Sequence, residues 1–122
     1  MVETMIKVVT TLKKKDGMST EEFRRYYEDH HRIIGEKYLR GYAVRYLRRY
    51  LSSMASPNDE PINQEFDVLL ETWFPDEASL TAFANLMNET DVAKEIEDDE
   101  EKLFDRNKKV TYIIEEFESE IA

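Results

Sequence analysis

What most limits the fold of this chain is the order of its periodic segments: strand-like, helical, strand-like twice, helical, strand-like. Met5–Leu12 is rich in β-branched residues and alternates in polarity, and Lys14, Lys15, Asp16 and Gly17 supply a turn directly after it. Ser19 with Glu22 three residues on is a capping-box signature, because hydroxyl and carboxylate satisfy amides that a helix start leaves unpaired. Phe23, Tyr27, His30, Ile34 and Tyr38 then recur at helical spacing, which predicts a helix to about Leu39 with Gly35 as its weak point. Tyr42–Leu51 is dense in aromatic residues and reads as a second strand, and Phe66–Phe74, stopped by Pro75, reads as a third. Between them, Ser52–Gln64 is polar, holds Pro57 and Pro61, and reads as a long loop of the kind that covers a site. Asp76 caps a helix whose Leu80, Phe83, Ala84 and Met87 share a stripe. Asn88-Glu89-Thr90 interrupts it, Val92, Ile96 and Leu103 carry a further helix toward Asp105, and Val110–Ile114 forms the last strand.

This β-α-β-β-α-β order is the split βαβ pattern, so an α+β, ferredoxin-like fold is expected: a four-stranded antiparallel sheet with helices on one face. A length of 122 residues suits one core, giving a single domain over 1–122. The strands are apolar or aromatic on both alternating faces, so the face without helices also needs cover. The expectation is a homodimer in which two sheets pack into a dimeric α+β barrel.

Cysteine is absent, which excludes disulfides, thiolate metal sites and a cysteine nucleophile. The net charge of -10, concentrated in Glu95–Glu101 and Glu115–Glu120, repels phosphate backbones and anionic lipid. Neither nucleic acid nor membrane is expected as a partner. No basic leader or long apolar run is visible, and a cytoplasmic location is the expectation.

Proton chemistry would begin at His30 and His31, the only histidines, because imidazole titrates near neutrality. At ~100° per residue His31 lies about 80° from Phe23, at the margin of the apolar stripe, where it can reach a pocket edge. His30 sits nearer the middle of the stripe and reads as packing or a second pocket group. Val92, Ile96, Asp99 and Leu103 follow one helical line, so Asp99 places a carboxylate among apolar neighbours and needs a partner there. Arg48 shares a strand face with Tyr42, Tyr46 and Tyr50, whereas Arg45 and Arg49 lie opposite, suited either to a ligand carboxylate or to pairing with Asp67 or Glu71. Trp73 suits packing more than stacking on a ligand.

The opening Met5-Ile6-Lys7-Val8-Val9, the run Met18 to Tyr27, His31, Phe66-Asp67-Val68, Glu71 to Phe74 and Asp99 to Arg106 together resemble the EthD domain family of the dimeric α+β barrel superfamily. The resemblance implies dimerisation through the sheets and a pocket between sheet and helices. His31 aligns with the helix histidine of the family motif, while His30 stands where the family usually has an apolar residue. Relatives include isomerases, cyclases, decarboxylases and dehydratases that need no cofactor. The site expected here has His31, Asp99 and Tyr46 as catalytic groups and Tyr27, His30, Tyr42, Arg48 and Trp73 against substrate, with no metal and no cofactor. The expected function is a cofactor-independent lyase or isomerase acting on a small aromatic or polyketide-like carbonyl compound. Its rival is a non-catalytic small-molecule-binding or accessory protein of an oxygenase system. A haem-binding reading, with one histidine as axial ligand, has no distinctive signature.

Overall fold

In the computed structural model, which describes residues 5–54 and 64–122, the segments fall in the expected order. They are β1 (Ile6–Leu12), α1 (Thr20–Tyr26), a π-helical turn (Tyr27–His31), α2 (Arg32–Leu39), β2 (Arg45–Tyr50), β3 (Val68–Phe74), α3 (Glu77–Met87), α4 (Thr90–Glu100), a 3₁₀ turn (Arg106–Lys108) and β4 (Val110–Ile113). The four strands form one sheet in the order β2-β3-β1-β4, with every neighbouring pair antiparallel. This is the ferredoxin-like fold.

Register sorts the strand residues into two faces. Val8 opposes Thr72 and Ile113, and Thr72 opposes Tyr46, so these share the helix-covered face with Thr10, Leu12, Val68 and Leu70. Lys7, Arg45, Leu47, Glu71, Trp73 and Tyr112 lie on the other. The second strand starts at Arg45 rather than Tyr42. Gly41 turns the chain with φ +88°, and the amides of Tyr42 and Ala43 both donate back to the Leu39 carbonyl, leaving Val44 as the first to reach β3. Most of the Ser52–Gln64 loop lies outside the described residues.

The capping box forms: the Glu22 amide donates to Ser19 Oγ at 3.0 Å and the Ser19 amide to Glu22 Oε1 at 3.2 Å. Helix then runs through Gly35 without a break. The irregularity comes earlier, where the Arg32 amide donates to the Tyr27 carbonyl five residues back and one extra residue enters the turn. At its other end, α4 stops at Glu100 instead of continuing toward Asp105, and a tight turn drops Leu103 and Phe104 into the core. There they join Leu12, Phe23, Tyr27 and Val68, buried between sheet and helices, each large apolar side chain contributing on the order of 1.5–3 kcal/mol.

Candidate functional site

Beside this core the helices and sheet part to leave a cavity of about 440 Å³. Val8, Leu70 and Phe74 of the sheet face Ile34, Leu80, Phe83 and Met87 across it, so its walls are predominantly apolar. His31, Tyr27 and Tyr46 add polar groups to the lining. A concave apolar space with few convergent polar groups suits a small organic ligand.

His31 is buried, at 7% exposure, although the ideal helical period had placed it at the stripe margin. The π-helical turn explains this: one inserted residue carries His31 to the inward position that regular geometry assigns to His30. His30, accordingly, is exposed, its ring lying 4.7 Å from that of Tyr26, and it neither packs in the core nor lines the cavity. Asp99 comes from the interrupted apolar line of α4 and is itself buried at 8%. Its Oδ2 lies 2.8 Å from His31 Nδ1, and its Oδ1 accepts the Tyr26 hydroxyl at 2.5 Å. A carboxylate can only accept, so His31 donates through Nδ1–H, and Nε2 is left as the nitrogen available to the cavity. Burial, followed by the hydrogen bond to Asp99, pushes the Tyr26 phenol up to about 12, so it remains a donor and holds the carboxylate in place.

A second polar pair stands against the sheet. The Tyr27 and Tyr46 hydroxyls are 2.5 Å apart, one donating to the other, so the accepting hydroxyl keeps a proton it can offer to a ligand. Burial raises both phenols, Tyr46 to about 12 and Tyr27 well above its ordinary value, which keeps them protonated donors rather than bases. Gly35 makes room for them. A Cβ at that position would lie 3.2 Å from the Tyr46 hydroxyl oxygen, so the missing side chain lets the phenol approach the helix.

The remaining expected site residues lie elsewhere. Arg48 is on the helix-covered face but is held by Glu28, Nε to Oε2 at 3.0 Å and Nη2 to Oε1 at 2.7 Å. Trp73 projects from the opposite face, between Lys7 Nζ at 4.1 Å and the Arg45 guanidinium at 4.5 Å, and donates its indole N–H to Glu71. Arg49 pairs with Glu71 at 2.7 Å. Tyr42 packs on Phe83, ring centroids 6.0 Å apart, outside the lining. Among the described residues, no three His, Cys, Asp or Glu side chains converge as metal ligands.

Residues 15–107 match the model of the EthD domain. The chain belongs to the EthD domain family. Among solved structures, this EthD domain is similar to an EthD-like protein from Ralstonia eutropha JMP134, with 21% identity, 93% of each chain covered and a TM-score of 0.65. An EthD family protein from Bacillus halodurans C-125 gives 21% identity, 93% of this chain and 100% of that chain, and a TM-score of 0.63. A dimeric protein of unknown function and ferredoxin-like fold from Bacteroides fragilis NCTC 9343 gives 9% identity, 91% and 95% coverage and a TM-score of 0.58. At such identities the likeness establishes the fold alone. No curated protein matches the chain.

Within this EthD domain, four contributors carried no clear sequence signal of their role. Tyr26 reaches Asp99 from the last residue of α1, a contact that helical periodicity does not reveal. Gly35 had a signal, a glycine four residues after His31 in an apolar helix stripe, but it read only as a weak point. Glu100 and Lys109 line the cavity from within charge-rich stretches, where sequence offers no signal that sets one charge apart from its neighbours.

Proposed function

We propose that this EthD domain is a cofactor-independent lyase or isomerase that moves a proton on a small aromatic or polyketide-like carbonyl compound. A ferredoxin-like EthD domain with an internal cavity fits a small-molecule-binding protein, and the observation that carries the reading further is the His31 Nδ1–Asp99 hydrogen bond. With Nδ1–H held by the carboxylate, Nε2 has its lone pair toward the cavity. It takes a proton from the carbon next to a carbonyl, and the C–H electron pair moves to make an enolate. The phenol of the Tyr27–Tyr46 pair donates to the enolate oxygen, and Asp99 stabilises the imidazolium. Return of the proton to a different carbon gives isomerisation, and its delivery to a departing hydroxyl gives dehydration.

The test needs no knowledge of the natural substrate. 2-Tetralone in D2O exchanges its α-hydrogens slowly, and the protein is expected to accelerate this, with His31→Ala lowering the acceleration by roughly 10²–10⁴-fold. Undiminished exchange in that variant would remove His31 from the mechanism. Saturable binding without exchange would favour the non-catalytic binding or accessory role. The open sheet face, which carries Leu47, Leu69, Trp73 and half-exposed Val110 and Tyr112, supports the accompanying proposal of a homodimer packed through the sheets.

A further inference from the structure

Among the described residues, Lys109 is the only lysine or arginine whose side chain lines the cavity. It leads into β4 two residues before Thr111, so the two side chains share the sheet face that forms the cavity wall. Its ammonium donates to Glu100 Oε2 at 2.7 Å, while the side chain keeps 38% exposure. Glu100 is buried at 3% and has a second cation, Arg106, with Nε 3.4 Å from its Oε1. Arg106 in turn reaches Glu97 at 3.2 Å and Glu101 at 4.0 Å, both more than half exposed and screened by water.

We infer that Lys109 anchors an acidic group on the ligand, so that the substrate class is an aromatic or polyketide-like carbonyl compound that also carries a carboxylate. This rests on the cavity being the ligand site proposed above. A carboxylate entering apolar walls needs a cation, and in a chain of net charge -10 an anion would otherwise be repelled. The arginines of β2 cannot serve: Arg45 and Arg49 are on the far face, and Arg48 is bound bidentately by Glu28. Lys109 can turn from Glu100 to a ligand without stranding a buried charge, because Arg106 stays with Glu100. Its long half-exposed stem allows that motion.

Titration calorimetry with 2-naphthoate and its neutral counterpart 2-naphthylmethanol tests the assignment. The wild-type protein is expected to bind the acid about tenfold more tightly than the alcohol, the size of one charge-assisted hydrogen bond. Lys109→Met removes the preference by weakening binding of the acid relative to the alcohol. Glu100→Gln acts in the opposite direction, freeing Lys109 and raising affinity for the acid severalfold. Equal binding of the two probes by the wild type, or a preference that survives Lys109→Met, overturns the anchor and leaves the cavity as the ligand site. Failure of the wild type to bind either probe overturns both.

Discussion

Two polar clusters in this protein use nearly the same parts. In one, Asp99 receives the His31 ring nitrogen and the Tyr26 hydroxyl; in the other, Glu28 receives the Arg48 guanidinium and the Tyr50 hydroxyl. Each joins the first helical stretch to another element. They differ in what is left over. Both oxygens of Glu28 and the fork of Arg48 face one another, and that guanidinium holds the Glu28 carboxyl below its ordinary value, as expected of a structural tie. His31 spends one nitrogen on Asp99, and its ring lines the cavity with Nε2 left out of that bond. In the proposed mechanism, that remaining lone pair is what separates His31 from a brace such as Arg48, and residue type alone does not reveal it.

The 2-tetralone exchange assay separates the two clusters most widely. His31→Ala is expected to lose the rate by orders of magnitude, and Arg48→Ala to retain it at the wild-type level while stability falls. Equal losses would make the two clusters equivalent.

Stability should separate them less widely. Asp99→Ala strips a buried imidazole and a phenol of their acceptor and is expected to cost about 3 kcal/mol in urea unfolding. Arg48→Ala leaves a carboxylate that is a third exposed and is expected to cost about 1 kcal/mol. A reversed ranking would show that the Glu28 tie holds the fold and the Asp99 cluster does not.

The smallest effect is on pH dependence. Because the folded protein holds Glu28 below 4.5, the unfolded chain binds its proton first as pH falls, so this stabilisation is present above pH 4.5 and is lost below it. Glu28→Gln should therefore flatten the acid limb of the stability profile and leave the neutral region parallel to wild type. An unchanged acid limb would place the acid sensitivity elsewhere.

Much of the fold was legible because it rests on local chemistry. Ser19 and Glu22 cap as their spacing requires, Asp76 caps α3 through the Ser79 amide, and strand alternation puts Arg48 on one face and Arg45 and Arg49 on the other. Asp99 was legible because a carboxylate on an apolar line needs a partner. Helical period alone put His30 nearer the inward position, and only the resemblance to the family motif singled out His31. A π-helical turn is a change of hydrogen-bond register with no composition of its own, and it exchanged the inward position of His30 for that of His31. Strand periodicity likewise gives a face but not a neighbour, so the capture of Arg48 by Glu28 and of Trp73 between Lys7 and Arg45 could be read only in three dimensions. Glu100 and Lys109 were hidden by the charges around them.

In the proposed mechanism, Asp99 fixes the His31 ring with Nδ1 protonated and leaves Nε2 for the ligand. With two histidines in the chain, ¹⁵N imidazole spectra at alkaline pH, where the rings are neutral, are directly interpretable, and His30→Ala leaves a single ring to assign. His31 is expected to show a pyrrole-type Nδ1 and a pyridine-type Nε2, with Asp99→Ala abolishing that bias. An Nε2–H tautomer, or a mixture like that of exposed His30, would contradict it.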